Sequence, residues 1–249
     1  MSALVALTVL GLPAGAALAC VAVVYVGAIV QATTGVGVGI ISSPVLLLVD
    51  PAFVPACIVL AVLPLSMTVA WADRAHVDRP GVLAALAGRV PGLVLGALVV
   101  ASISETVLSI LVGVTVLGGV VVSLTARRFD PSRLALVLAG FASGFTGTAV
   151  GVGGPPMALT YQHSDPVTMR ATISVFFAVG SVLSAVALAL AGEIGGRQLE
   201  LLALLVPAVL AGLATARHQA ARLVGPGVRP VVLALSAFSA VALLVRTVA

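Results

Sequence analysis

Apolar residues run along this chain in long blocks, and polar positions come in short clusters between them. The blocks lie near residues 20–48, 55–72, 82–101, 105–125, 134–162, 169–191, 199–215 and 229–247. Six of them approximate the roughly 17–25 residues that one helix needs to cross a hydrocarbon layer. The blocks 20–48 and 134–162 exceed one comfortable span. Each carries a helix-breaking run in its second half, TTGVGVGIISSP at 33–44 and TGTAVGVGGPP at 146–156.

Composition turns these blocks into membrane spans. With 61% hydrophobic and 8% charged residues in 249, and a mean hydropathy of +1.29, there is more apolar surface than a soluble core could hide. The net charge of +4 comes from Arg spaced between apolar blocks, without the clustered basic face of a nucleic-acid binder. Nucleic acid is therefore discounted as a partner, and the bilayer is the surroundings. Cys20 and Cys57 lie in apolar runs without further ligands at metal spacing, and read as small core residues. The Leu4–Ala19 stretch lacks a positive leader and has Ala17 three positions before Cys20, so it reads as retained rather than cleaved.

Cytoplasmic loops carry the excess of positive charge, so the Arg positions discriminate between topologies. If the two long blocks each cross once, Arg divides almost evenly between the sides. If each returns to its own side as a hairpin, Arg74, Arg79, Arg89, Arg127, Arg128, Arg133, Arg170, Arg217, Arg222 and Arg229 fall near one face, and only Arg197 and Arg246 near the other. Hairpins give the expected asymmetry, with the Arg-rich face cytoplasmic. A hairpin followed by three crossings is an odd unit, and two such units in series face opposite ways. The expected fold is an all-α polytopic membrane protein of two inverted repeats in a single membrane domain. Each repeat is a broken or re-entrant hairpin followed by three transmembrane helices, over about 20–125 and 134–247. VGVG at 36–39 recurs at 150–153, and Asp50-Pro51 recurs as Asp165-Pro166.

Gly costs about 1 kcal/mol relative to Ala inside a helix, and broken backbone at membrane depth persists only where protein or a wet cavity surrounds it. Paired breaks in two halves point to a transporter's substrate site near the midplane. Bared N–H groups and half-helix N-termini suit an anion. Candidate binding residues are Gln31, Thr33, Thr34, Gly35, Gly37, Gly39, Ser42 and Ser43 in the first motif. The second supplies Thr146, Gly147, Thr148, Gly151, Gly153, Gly154 and Pro155. Arg170 either adds a full charge there or is an interfacial positive-inside residue. His163 is either a titrating group for proton coupling or a solvated loop residue. Gly113, Gly140, Gly144 and Gly180 read as close-packing positions, and Arg89, near a helix end, as snorkelling to the interface.

Catalytic readings find no support. GVGVGI and GVGGPP miss the third Gly of the dinucleotide fingerprint, and HExxH, GxSxG and Walker patterns do not occur. No cofactor or metal is expected. Two functions remain open: a secondary transporter of a small oxyanion, or a channel-like or accessory membrane subunit whose Gly-rich motifs only pack helices.

Three segments carry a resemblance to a known family: QATTGVGVGIISSPVLLL at 31–48, GFASGFTGTAVGVGGPPMALTYQH at 140–163, and RATISVFFAVGSVLS at 170–184. Together they resemble the sulfite exporter TauE/SafE family of membrane permeases, and the likeness extends through both halves. Ile40 and Ile41 depart from the Gly and Phe that often continue the first motif in that family. The resemblance implies export of small sulfur-containing anions, such as sulfite or organosulfonates, across the bacterial inner membrane, driven by an ion gradient. Association into a homo-oligomer is compatible with this reading.

Overall fold

The computed structural model describes residues 8–125, 132–223 and 228–248, with side chains throughout except for 219–232. Arg127, Arg128 and most of the 126–133 connection lie outside the described residues, as do residues 4–7 of the Leu4–Ala19 stretch and the side chains of Arg222 and Arg229. A two-residue antiparallel pair, β1 (Thr8–Val9) with β2 (Leu12–Pro13), precedes the helices. The first half then holds α1 (Ala14–Thr34), α2 (Val38–Val49), α3 (Ala56–Ala72), α4 (Arg79–Val100) and α5 (Glu105–Thr125). The second holds α6 (Arg133–Val150), α7 (Gly154–Tyr161), α8 (Pro166–Leu190), α9 (Gly196–Leu223) and α10 (Val228–Val248).

Both long apolar blocks are therefore broken, at residues 35–37 and 151–153. Gly35 (φ 89°) and Gly151 (φ 74°) occupy the left-handed region that closes α1 and α6, each donating its N–H to the last turn, on the carbonyls of Gln31 and Thr146. Among the described residues, seven helices are long and apolar enough to cross a membrane. The chain is a multi-pass, all-α membrane protein.

Polar contacts fix which helix ends lie together. At one end, Arg197 pairs with Asp50 at 2.7 Å and donates to the Leu10 carbonyl at 2.7 Å, while Arg246 donates to the Leu48 carbonyl. The start of α1 and the end of α2 thus share that end. At the other end, Arg170 pairs with Asp73 at 2.7 Å, the Tyr161 hydroxyl donates to Asp78 Oδ2 at 2.8 Å, and the Asp78 N–H donates to Thr172 Oγ1. The helix α3, which joins Asp50 to Asp73, separates the two ends. Asp78 also caps α4 by accepting from the Gly81 N–H, so its carboxylate ties α4 to α7 and its backbone N–H ties both to α8.

The α6 helix starts at the Asp73 end because it lies parallel to α4 in close contact. Gly88, Gly92 and Gly96 of α4 face the carbonyls of Val137, Phe141 and Phe145, and Gly140 and Gly144 of α6 face those of Ala85 and Arg89. A methyl group at any of these five positions would run into a backbone oxygen. The expected packing role of Gly140 and Gly144 is met there, and Gly113 similarly receives Leu244 of α10. Packing between the halves exchanges in register: α4 on α6 matches α1 on α9, α4 on α8 matches α3 on α9, and α3–α8 and α5–α10 close on themselves. Outward-facing Leu83, Leu98, Leu124, Leu134 and Leu190 are exposed, as a lipid-facing surface requires.

A labelling experiment checks the hairpin. Cysteines placed singly at Gly15 and Ala52, which bracket α1 and α2, should react with a membrane-impermeant maleimide from the same side, and a cysteine at His163 from the opposite side. Reaction of positions 15 and 52 from opposite sides would replace the hairpin by a single crossing.

Candidate functional site

The first hairpin returns through a short non-helical passage whose polar groups are largely met from within. Gln31, buried on α1, accepts the Val38 N–H at 2.9 Å with Oε1 and so caps α2 from the side. The Thr34 hydroxyl donates to the Val30 and Val36 carbonyls at 2.9 and 2.8 Å, and accepts from the Val36 N–H. Gly37 lies so close to α1 that a Cβ would sit 2.6 Å from the Gly27 carbonyl oxygen. Beyond Val38, the N–H groups of Gly39 and Ile40 belong to the first turn of α2, where no helical acceptor exists.

The second hairpin has a different donor inventory. The N–H groups of Gly151 and Val152 turn back onto the Thr146 carbonyl, and the Ser143 hydroxyl donates to the Gly153 carbonyl. Pro155 and Pro156 occupy the start of α7, so two of its first-turn positions carry no N–H at all. The expected symmetric array of bared donors is thus reduced on this side. The two hairpins meet where Gly39 lies against the Gly151 carbonyl, a contact that leaves no room for a side chain at 39.

Around this meeting point lies a cavity of about 40 Å³, lined by Gln31, Val36, Gly37, Gly39 and Ile40 from the first hairpin and Gly147, Gly151, Gly153 and Gly154 from the second. Ile58, Val59 and Val62 of α3, Arg89 of α4, and Phe177 and Ser181 of α8 complete it. At roughly 10–15 Å³ per water, the space suits about three or four water-sized groups. One wall is polar backbone with Gln31, Ser181 and Arg89; the other is aliphatic and aromatic.

Arg89 overturns the snorkelling expectation. It is 2% exposed and sits in mid-α4, directed into the bundle between α6 and α8. Its guanidinium stacks over the Phe176 ring at 4.7 Å and lies 5.7 Å from that of Phe177, while Nη1 and Nη2 reach Ser143 Oγ and Ser184 Oγ only at 3.4 Å. Nε has no partner. Gly180 makes this placement feasible, since a Cβ there would overlap the guanidinium. The flanking Gly88, Gly92 and Gly96 were the available sequence signal, because small residues at that spacing mark a helix face pressed against protein rather than lipid.

Of the expected binding residues, the structure brings Gln31, Gly37, Gly39, Gly147, Gly151, Gly153 and Gly154 to the cavity. The others lie elsewhere. Thr33 and Thr146 donate to carbonyls of their own helices, Ser42 donates to the Val23 carbonyl, and Thr148 pairs with Ser184 at 2.7 Å behind Arg89. Ser43 is buried with an unpartnered hydroxyl, Pro155 packs against Gly119, and Gly35 rests on the Arg170 backbone and Ile173. Arg170 and Thr33 line a separate depression of about 210 Å³ with Asp73 and Arg217 at the Arg-rich end. Residues 33–37 form part of that depression at Thr33 and of the cavity from Val36 onward, so the first hairpin tip is the partition between them. His163 is exposed in the connection after α7, beside neither space.

A family model described as Sulfite exporter TauE/SafE matches residues 18–243, through both halves and both hairpins. No curated protein and no solved structure matches the chain.

The contact between the hairpins predicts unequal costs for equal substitutions. Gly39→Ala, which forces a methyl onto the Gly151 carbonyl, should destabilise the purified protein by about 1–3 kcal/mol, the usual cost of overpacking. Gly118→Ala, in α5 with open space around it, should leave the thermal midpoint unchanged or raise it. Equal midpoints for the two variants would remove the tip-to-tip contact.

Proposed function

The chain belongs to the sulfite exporter TauE/SafE family, and on that premise we propose that it is a secondary transporter exporting small sulfur-containing anions such as sulfite or short organosulfonates. The observation that carries this reading is the cavity itself, formed where two broken helices from the two halves meet in mid-bundle. Interrupted spans in matching positions build substrate sites in secondary transporters, because only there can unpaired backbone face a ligand instead of lipid.

In this reading the halves are inverted repeats that rock about the hairpins, and the register of packing between them supports that symmetry. The Arg-rich end, with Arg74, Arg79, Arg133, Arg170 and Arg217, faces the cytoplasm of a bacterial inner membrane. Its depression collects anions beside Arg170 and Arg217 and passes them across the hairpin tip. Arg170 thus serves the vestibule, and its pairing with Asp73 holds that end together. The competing reading, a channel-like or accessory subunit whose glycines only pack helices, draws on the same close contacts of Gly39 with Gly151 and of α4 with α6.

Reconstituted flux separates the two. Purified protein in liposomes should carry sulfite or methanesulfonate with saturation and in response to an ion gradient, and Gly37→Leu or Gly153→Leu should abolish that flux while the protein still purifies. Unsaturable flux, or none for any sulfur oxyanion, would sink the transporter reading; full activity in both variants would move the site away from the hairpins.

A further inference from the structure

Among the described residues, Arg89 is the only ionisable side chain lining the cavity, and none of the described acids answers it. Among the described residues the ion pairs join Asp73 to Arg170, and Arg197 to Asp50 and Glu200, at the two ends of the bundle. Asp78 is engaged by Tyr161 and the α4 cap, Asp165 by the α8 cap, and Glu105 and Glu193 stand at helix ends. A guanidinium does not shed its proton to escape burial, so the charge stays. Two hydroxyls at 3.4 Å lie at the long limit of hydrogen bonding and are neutral, and the Phe176 face supplies only a quadrupole. A buried cation left in this state is costly unless something brings the missing negative charge.

We propose that Arg89 is the charge-bearing substrate residue of the cavity and that it matches the site to a monovalent oxyanion no larger than methanesulfonate. This rests on the transporter reading and names the ligand class within it. One fixed positive charge is balanced by one negative charge. A dianion would leave a full charge uncompensated between Phe177, Ile58, Val59 and Val62, whereas a bisulfite or short alkanesulfonate would not. The planar fork of the guanidinium engages two oxygens side by side, and the first-turn N–H groups of Gly39 and Ile40, the Gln31 amide and the Ser181 hydroxyl are further donors at the cavity. The aliphatic wall takes the non-polar substituent, and a cavity of about 40 Å³ keeps that substituent small.

The test compares wild type with Arg89→Met and Arg89→Lys. Calorimetric titrations of the purified protein use sodium methanesulfonate and sodium sulfate at matched ionic strength, with liposome flux measured in parallel. Wild type should bind methanesulfonate saturably and at least about tenfold more tightly than sulfate, by the loss expected for one unbalanced charge. Arg89→Met should weaken methanesulfonate binding by about 10- to 100-fold, the value of losing a charge-assisted contact, with an unchanged or higher melting midpoint in the absence of anion. A structural arginine would instead give a lower midpoint and intact binding in whatever folds. Arg89→Lys, which keeps the charge if the Met variant does not fold, should bind measurably but more weakly than wild type. Sulfate binding as tightly as methanesulfonate, or wild-type affinity in Arg89→Met, overturns the assignment while wild-type flux leaves the transporter reading standing. Absence of both binding and flux in wild type overturns both.

Discussion

A backbone broken inside an apolar bundle must find partners for the groups it frees, and the architecture of this protein follows from how that requirement is met. Gln31 caps α2, Thr34 brackets the first turn, Ser143 holds the Gly153 carbonyl, and Thr146 receives two N–H groups of the second break. Each partner comes from the longer arm of its own hairpin. The breaks are therefore self-sufficient, and the bundle can bring them together without lending further polar side chains. Around the cavity, the groups left over are the first-turn N–H groups of Gly39 and Ile40 and Nε of Arg89.

The placement of Arg89 depends on the same economy of side chains. The glycine stripe of α4 lets α6 approach to backbone contact, which carries mid-α4 into the interior and takes Arg89 with it. Gly180 then clears the space on α8, and Phe176 and Phe177 supply the flat surface on which a guanidinium rests. Five packing glycines and one clearing glycine thus set the position of a charge that the membrane environment alone would drive to an interface. The cost of holding it there falls on stability.

How much of this was legible in the sequence follows from what each residue's neighbours could reveal. The helix breaks at residues 35–37 and 151–153 were legible because Gly and Pro act locally, whatever the tertiary surroundings. The common end of Asp50, Arg197 and Arg246 was legible from the distribution of Arg. The hydroxyls of Thr33 and Thr146 donate to carbonyls three or four residues earlier, and that of Thr34 to Val30 and forward to Val36, engagements that residue type alone did not reveal. The smaller number of N–H groups at the second motif follows from its prolines, which delete donors as well as break helices. Arg89 was misplaced because distance along the helix was used without asking which face it occupies. The Gly spacing on α4 carried that information, but only contact with α6 gave it meaning.

The distribution of strong and weak contacts bears on how such a site would open. At the centre, the hairpins and the α4–α6 pair touch through backbone atoms, which have no alternative rotamers and cannot yield by small adjustments. At the ends, closure rests on ion pairs that remain partly exposed: Arg170 with Asp73, their side chains 26% and 18% exposed, and Arg197 with Asp50, at 37% and 20%. Ion pairs in contact with water add little net stability, because each partner is almost as well solvated apart. Separating either end is therefore cheap compared with separating the centre. In the proposed transporter, one end would part while the hairpin contact holds as the pivot, and the partition formed by residues 33–37 lies between the depression and the cavity where that parting would be felt first. A centre held by backbone-to-backbone contact and ends fastened by partly exposed ion pairs is the asymmetry that alternating access would use in a membrane bundle.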